Sequence, residues 1–153
     1  MVSVQSLDAY LGKHIDKICG NAYVKDSDNH CAHFVCHALA QSFGVTCKGM
    51  GNGKGPGANI RVHETFAHCR KVGAWAAQPP AVPWCLVFIL NAGNVDLRRK
   101  VMSNVLNKHV GIYTAGFVWH YSNLDRKVIK QTPSEFSHHY PPPDNAMFYG
   151  TLT

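Results

Sequence analysis

The chain has 153 residues, of which 46% are hydrophobic and 16% charged, a composition typical of one globular domain with its own apolar core. No stretch is apolar enough to predict a membrane span. The formal net charge of +6 favours acidic partners, but the basic residues are scattered and form no dense run typical of a nucleic-acid groove. We therefore expect a single monomeric domain over residues 1–153 that binds neither nucleic acid nor membrane.

The predicted elements run from helices to strands along the chain. Helices are predicted over residues 5–19, 31–39, 59–69 and 94–108, and a glycine-rich loop covers residues 49–57. Strands are predicted over residues 84–90, 109–114, 117–123, 127–131 and 146–152, with Pro79, Pro80 and Pro83 leading into the first. Ala115-Gly116 is expected to be the turn of a β-hairpin. Helices followed by an antiparallel sheet predict an α+β fold.

The second predicted helix carries the clearest chemical signal. Apolar residues recur at three and four positions from Cys31 to Leu39, which indicates one face of an amphipathic helix. Asp28 and Asn29 are good N-cap residues, so Cys31 falls in the first turn, where free N–H groups and the helix dipole favour an anion. That position activates a thiol as a nucleophile. On this pattern alone, Cys31 is either a nucleophile or a small buried apolar residue.

A thiol nucleophile needs a base, and the base needs a partner that orients it. His109 begins the first strand of the predicted hairpin and, with a turn at Ala115-Gly116, falls opposite Ser122. His120 is then a diagonal neighbour on the same face of the hairpin. A helix N-terminus packed against that face would complete an arrangement of Cys31, His109 and His120.

Four segments resemble motifs of the NlpC-type cell-wall cysteine peptidases. The segment Asn29-His30-Cys31-Ala32-His33-Phe34-Val35 resembles their nucleophile motif, and His109-Val110-Gly111-Ile112-Tyr113 is similar to their histidine strand. Leu86-Val87-Phe88 resembles a third conserved strand, with Cys85 where an acidic residue is usual. Phe117-Val118-Trp119-His120 is similar to the context of their third catalytic residue, with one residue inserted. The match covers roughly residues 28–130 and keeps the family's order of catalytic residues.

The resemblance implies a papain-like α+β fold, in which the nucleophile helix packs on a small antiparallel sheet. It implies an amidase or endopeptidase that cuts a stem-peptide amide bond of peptidoglycan, with no metal and no other cofactor. In the implied mechanism His109 takes the proton of Cys31, His120 orients His109, and the Cys31 backbone N–H donates to the oxyanion. Asn123 remains an alternative to His120 as the third catalytic residue.

The resemblance also suggests substrate contacts and a biological setting. The substrate-binding candidates are Asn29, His30, Asn59 and Asn123. Within the family, the stand-alone type VI secretion amidase effectors are similar in being short and basic, and Gly57-Ala58-Asn59 resembles part of their loop after the cysteine helix. The first residues lack the features of a signal peptide. This predicts an antibacterial effector or lytic factor that reaches the periplasm or cell wall through a secretion or lysis system, with an immunity or inhibitor protein as a partner.

Two other functions stay open. His33 and His37 lie four residues apart on the predicted helix with Cys31 and Cys36 nearby, a pattern compatible with a zinc-binding interaction domain. The chain has no Cys-x-x-Cys motif, however, and a solvated polar face is the simpler interpretation of the two histidines. The other function is a thiol acyl hydrolase or transferase that acts on a lipid or protein, because one fold hosts several acyl transfers.

Several remaining residues are interpreted as structural. His138-His139 is predicted to be an exposed loop before a run of prolines. The six cysteines are expected to be mostly reduced thiols, and five of them to pack as small apolar side chains. These five are Cys19, Cys36, Cys47, Cys69 and Cys85.

Overall fold

The computed structural model describes residues 2–51, 53–77 and 82–153, and confirms the α+β class. Its helices are α1 (Val4–Asp8), α2 (Cys31–Ala38), α3 (Cys47–Gly51), α4 (Val62–His68) and α5 (Pro133–Phe136). Its strands are β1 (Lys71–Ala74), β2 (Trp84–Leu90), β3 (Val95–Asp96), β4 (Val101–Met102), β5 (Lys108–Thr114), β6 (Phe117–Ser122), β7 (Lys127–Gln131) and β8 (Ala146–Thr151). Within the described ranges, no helix combines the length and apolar character needed to cross a bilayer.

Two compact units make up this structure. The first comprises the chain up to Arg61 together with Trp119–Lys130, and the second comprises Val62–Val118 together with Gln131–Thr153. The first unit contains α1, α2, α3 and most of β6 and β7, which lie side by side. The expectation of one domain over residues 1–153 stays a prediction.

Helix α2 is the centre of the first unit. All six residues from Cys31 to Cys36 are buried, because neighbouring segments cover the helix on every side. Tyr10 packs edge-on against Phe34 with ring centroids 5.5 Å apart. The backbone N–H of Ile15 donates to the Tyr121 hydroxyl at 3.2 Å, which ties the N-terminal segment to β6.

The predicted helix over residues 5–19 is wrong in its middle. Helix α1 ends at Asp8, and Gly12 adopts a φ of +77°, which a right-handed helix does not allow. The Gly12 N–H donates to the Val128 carbonyl, and the Val128 N–H donates to the Lys13 carbonyl. Hydrogen bonds to β7 therefore replace the helical ones that the apolar spacing predicted.

The predicted helix at Cys31 is confirmed, and its ends have specific causes. The N-cap residue is His30, whose side chain makes no capping bond, while the Asn29 side chain accepts from the Cys31 N–H. At the other end Ala40 adopts a φ of +53°, the left-handed conformation that stops a helix. An alanine therefore occupies a position that usually favours glycine.

The second unit contains an antiparallel sheet with strand order β1-β8-β2-β5. Residues Cys85 to Leu90 of the central strand β2 are all buried, which explains why this strand reads as a continuous apolar run. Ile89 is paired with His109 of β5 on one side and with Met147 of β8 on the other. This register fixes the place of His109 in the unit.

The other predicted strands, over residues 109–114, 117–123, 127–131 and 146–152, are confirmed as β5, β6, β7 and β8 with small differences at their ends. The turn Ala115-Gly116 has φ values of +50° and +85°, the left-handed pair expected of a two-residue hairpin turn. β7 and β8 begin where predicted, and α4 lies within residues 59–69. β1 and α5 were not predicted, and Pro79 and Pro80 lie outside the described residues.

The predicted helix over residues 94–108 is wrong. The segment forms a small hairpin in which Val95 pairs with Met102. The Asp96 carboxylate accepts from the Arg99 N–H at 3.0 Å, a side-chain turn that competes with helix formation. Lys100 follows with a φ of +55°, and its amine donates to the Cys69 carbonyl at 2.6 Å. Local turn chemistry thus outweighs the loose apolar spacing.

The end of α2 provides a stability test. Replacing Ala40 with glycine should raise the free energy of unfolding by about 0.5–1 kcal/mol, because glycine has no side-chain clash at positive φ. The matched control Ala38→Gly, inside the helix, should lower it by a similar amount of about 0.5–1 kcal/mol. Urea unfolding followed by circular dichroism measures both. Equal losses in the two variants would contradict the helix end described here.

Candidate functional site

Cys31 is the first residue of α2 and is completely buried. Its backbone N–H donates to the Asn29 side-chain oxygen at 3.0 Å. In this structure the Cys31 N–H therefore already has an acceptor. Its role as the donor to an oxyanion stays a prediction, and it requires that substrate replace the Asn29 oxygen.

Asn123 joins the entry of α2 to the end of β6. Its side-chain amide donates to the Asn29 oxygen at 3.1 Å, and its own oxygen accepts from the His30 N–H at 3.0 Å. Both ends of the Asn123 carboxamide thus hold the segment that leads into Cys31. The predicted substrate contacts of Asn29 and Asn123 stay predictions, since the contacts observed here position the backbone.

His30 is buried between two hydrogen-bond partners. Its Nε2 lies 2.6 Å from the Lys25 carbonyl oxygen, and its Nδ1 lies 3.0 Å from Nδ1 of His33. Burial lowers the pKa of His30, so the ring is neutral near pH 7. To bind substrate, the His30 ring would have to break one of these internal hydrogen bonds and form a new one with the substrate.

Asn59, the remaining substrate-binding candidate, is also fully buried. Its amide nitrogen donates to the carbonyl oxygens of Phe43 and Val45 at 3.1 and 3.3 Å, and its oxygen accepts from the Arg61 N–H at 3.0 Å. These bonds join two loop segments. The observed role of Asn59 is to hold the backbone after α2.

His109 lies in β5 of the second unit and is buried. The His139 ring stacks on it with centroids 3.9 Å apart and planes inclined by 11°. Phe136 also stacks with His109, at 5.7 Å. Burial lowers the pKa of His139, which favours its neutral form. The proposed base is therefore fixed in orientation by two rings that the sequence analysis did not assign to the site.

His139 is half-buried, which contradicts the prediction that His138-His139 is exposed. Its neighbour His138 is exposed, as predicted. The cause is α5, which begins with a reciprocal capping box between Thr132 and Glu135. The chain turns at this helix, and the His139 N–H donates to the Phe136 carbonyl at 3.0 Å. The capping-box pattern Thr-x-x-Glu was the sequence signal that could have located this residue.

The third catalytic candidate, His120, lies in the part of β6 that belongs to the first unit. Its side chain is buried, as is that of the preceding Trp119. The role of His120 as the partner that orients His109 stays a prediction. Cys31 and His120 thus belong to the first unit and His109 to the second.

The first unit also contains a group of four side chains that can bind a metal, and the sequence did not predict this combination. Its ligand atoms all lie within 4.8 Å of one another. The members are Cys19, His33, His37 and Cys47. The sequence pattern had placed Cys31 and Cys36 next to the two histidines, and neither of them belongs to the group.

No family model, curated protein or solved structure matches this chain. The likeness to the NlpC-type peptidases therefore depends on the motifs quoted above.

The Asn123 bridge can be tested by substitution. Asn123→Ala should lower the free energy of unfolding by about 1–2 kcal/mol, because it removes the acceptor of the His30 N–H and the donor to Asn29. The control Asn104→Ala, at an exposed position, should change it by less than about 0.5 kcal/mol. Urea unfolding compares the two, and equal effects would show that the bridge contributes nothing to stability.

Proposed function

We propose that the chain is a papain-like cysteine amidase or endopeptidase that cuts a stem-peptide amide bond of peptidoglycan. The observation that carries this proposal is the position of Cys31 as the first residue of α2, within a segment that resembles the NlpC-type nucleophile motif. The helix dipole at this end favours the thiolate, which is the reactive form. His109 on β5, which stacks against the rings of His139 and Phe136, supplies the base in this proposal.

The proposed reaction is acyl transfer through a thioester. His109 takes the proton of the Cys31 thiol, and the sulfur attacks the amide carbon of the stem peptide. His109 then gives that proton to the departing amine as the carbon–nitrogen bond breaks. Water attacks the thioester, with His109 again as base, and releases the carboxylic acid and the thiol. His120, or Asn123 in its place, orients His109 throughout.

Substrate binding has to change the contacts around Cys31. The side chain is buried, and its backbone N–H donates to Asn29. In the proposed mechanism the substrate carbonyl oxygen displaces the Asn29 oxygen and takes over this N–H as an oxyanion donor. Such donors are worth about 3 kcal/mol each in the transition state. Without substrate, the Asn29 oxygen therefore occupies the position that the oxyanion takes in the proposed reaction. The same oxygen also accepts from the Asn123 side-chain amide.

The same proposal includes the setting in which the enzyme acts. A net charge of +6 favours adhesion to anionic wall polymers. We infer action in the periplasm or at the cell wall, after delivery by a secretion or lysis system. An immunity or inhibitor protein that blocks the enzyme in the producing cell is the partner expected for such an effector.

Mass spectrometry of digested peptidoglycan tests the activity. The wild type should release new stem-peptide fragments, and Cys31→Ala should reduce their rate of formation by more than about 100-fold, because the nucleophile is lost. The matched control is Cys36→Ala, which removes an equally buried thiol from the same helix and should retain activity. Circular dichroism establishes that each variant is folded.

Two results would contradict the proposal. One is fragment release that does not depend on Cys31. The other is folded wild-type protein that releases no fragments from any peptidoglycan chemotype tested. In the second case, products that depend on Cys31 and come from a lipid or protein substrate would identify the alternative acyl hydrolase or transferase.

A further inference from the structure

Four ligating side chains of the first unit converge on one point. Cys19, His33, His37 and Cys47 place their sulfur and nitrogen atoms within 4.8 Å of one another. In a tetrahedral zinc site with Zn–S of about 2.3 Å and Zn–N of about 2.0–2.1 Å, a sulfur and a nitrogen ligand lie roughly 3.6 Å apart. The observed distance between the Cys47 sulfur and Nε2 of His37 is 3.6 Å. This pair is therefore at the separation of two zinc ligands, and the other ligand atoms of the group lie close enough to share one ion with it.

The ligands come from three parts of the chain. His33 and His37 are four residues apart on α2, so their side chains lie on one face of the helix with ring centroids 4.9 Å apart. Cys47 is the first residue of α3, and Cys19 lies in the segment that precedes α2. Cys19, His33 and Cys47 are buried, and His37 is half-buried. A bound ion would be enclosed by protein ligands.

The hydrogen bonds of His33 leave a lone pair directed into this group. The Lys25 carbonyl can only accept, so His30 carries its proton on Nε2 and its Nδ1 is an acceptor. Nδ1 of His33 therefore donates to Nδ1 of His30, and Nε2 of His33 is the unprotonated nitrogen. That Nε2 is buried and has no hydrogen-bond partner among the described residues.

The two sulfurs accept hydrogen bonds as metal-bound thiolates do. Cys47 accepts from the Asn21 side-chain amide at 3.2 Å and from the Ala58 N–H at 3.3 Å. Cys19 accepts from the Asn21 N–H at 3.3 Å. N–H donors thus point at both sulfurs, as the outer hydrogen bonds of a metal site do.

We propose that Cys19, His33, His37 and Cys47 form a structural zinc site. Zn²⁺ displaces one proton from each thiol and binds two thiolates and two neutral imidazoles, so the buried complex has no net charge and two protons are released. All four positions are filled by protein, which is the coordination of a structural site. The ion joins the segment before α2, the helix itself and α3. This site does not depend on the proposed amidase activity.

The metal content of the full chain tests this proposal. Protein purified without chelators should contain about one zinc per chain by elemental mass spectrometry, and a chelator should lower its melting temperature by more than about 10 °C. His37→Ala should lose most of the zinc. His138→Ala, at an exposed histidine, and Cys36→Ala, on the same helix, should retain it.

A cobalt measurement keeps the test decisive if ligand variants do not fold. Wild-type protein stripped of metal should bind one Co²⁺ and show the thiolate charge-transfer band and the intense visible bands of a tetrahedral site. Less than about 0.1 zinc per chain together with no cobalt spectrum would overturn the proposal. A disulfide between Cys19 and Cys47, found by peptide mapping without reduction, would overturn it as well. If His37→Ala loses zinc but still cleaves peptidoglycan, the zinc site is structural and the proposed amidase activity does not require it.

Discussion

The burial of α2 is the constraint on which the first unit depends. A helix of eight residues is too short to be stable alone in water, so it has to be held by its surroundings. Asn29 and Asn123 fix its start through hydrogen bonds, and Ala40 ends it by a left-handed turn. On one side of the helix, Phe34 packs against Tyr10. The same burial places the Cys31 thiol and the His33 imidazole where water cannot solvate a charge.

The helix presents its reactive groups in two directions. At about 100° per residue, His33 lies roughly 200° around the helix from Cys31, whereas His33 and His37 lie within about 40° of each other. The proposed nucleophile and the proposed zinc ligands therefore occupy opposite sides of one helix. His30 links the two sides, because its N–H is held by Asn123 and its ring fixes the tautomer of His33. A zinc ion that fixes the histidine side would also fix the orientation of the helix that carries Cys31.

The sequence predicts elements whose signals are local and strong. The apolar run of β2, the spacing of α2 and the turn at Ala115-Gly116 are examples, and all three are confirmed. The helix expected over residues 94–108 fails because one side-chain turn at Asp96 outweighs a loose apolar pattern. The site is less predictable, since Cys19 and Cys47 meet α2 only through the folding of the chain. His139 was missed because a four-residue capping box, rather than the proline run, decides where it lies.

If Cys31 is the nucleophile, an acyl-enzyme forms on its sulfur and can be trapped. Wild-type protein is mixed with purified stem-peptide fragments, quenched in acid within the first turnover, and analysed by intact mass and peptide mapping. We expect an added mass equal to the acyl part of the substrate, attached to Cys31 as a thioester. Substrate cleavage without any adduct on Cys31, or an adduct on another cysteine, would contradict the role of Cys31 as the nucleophile.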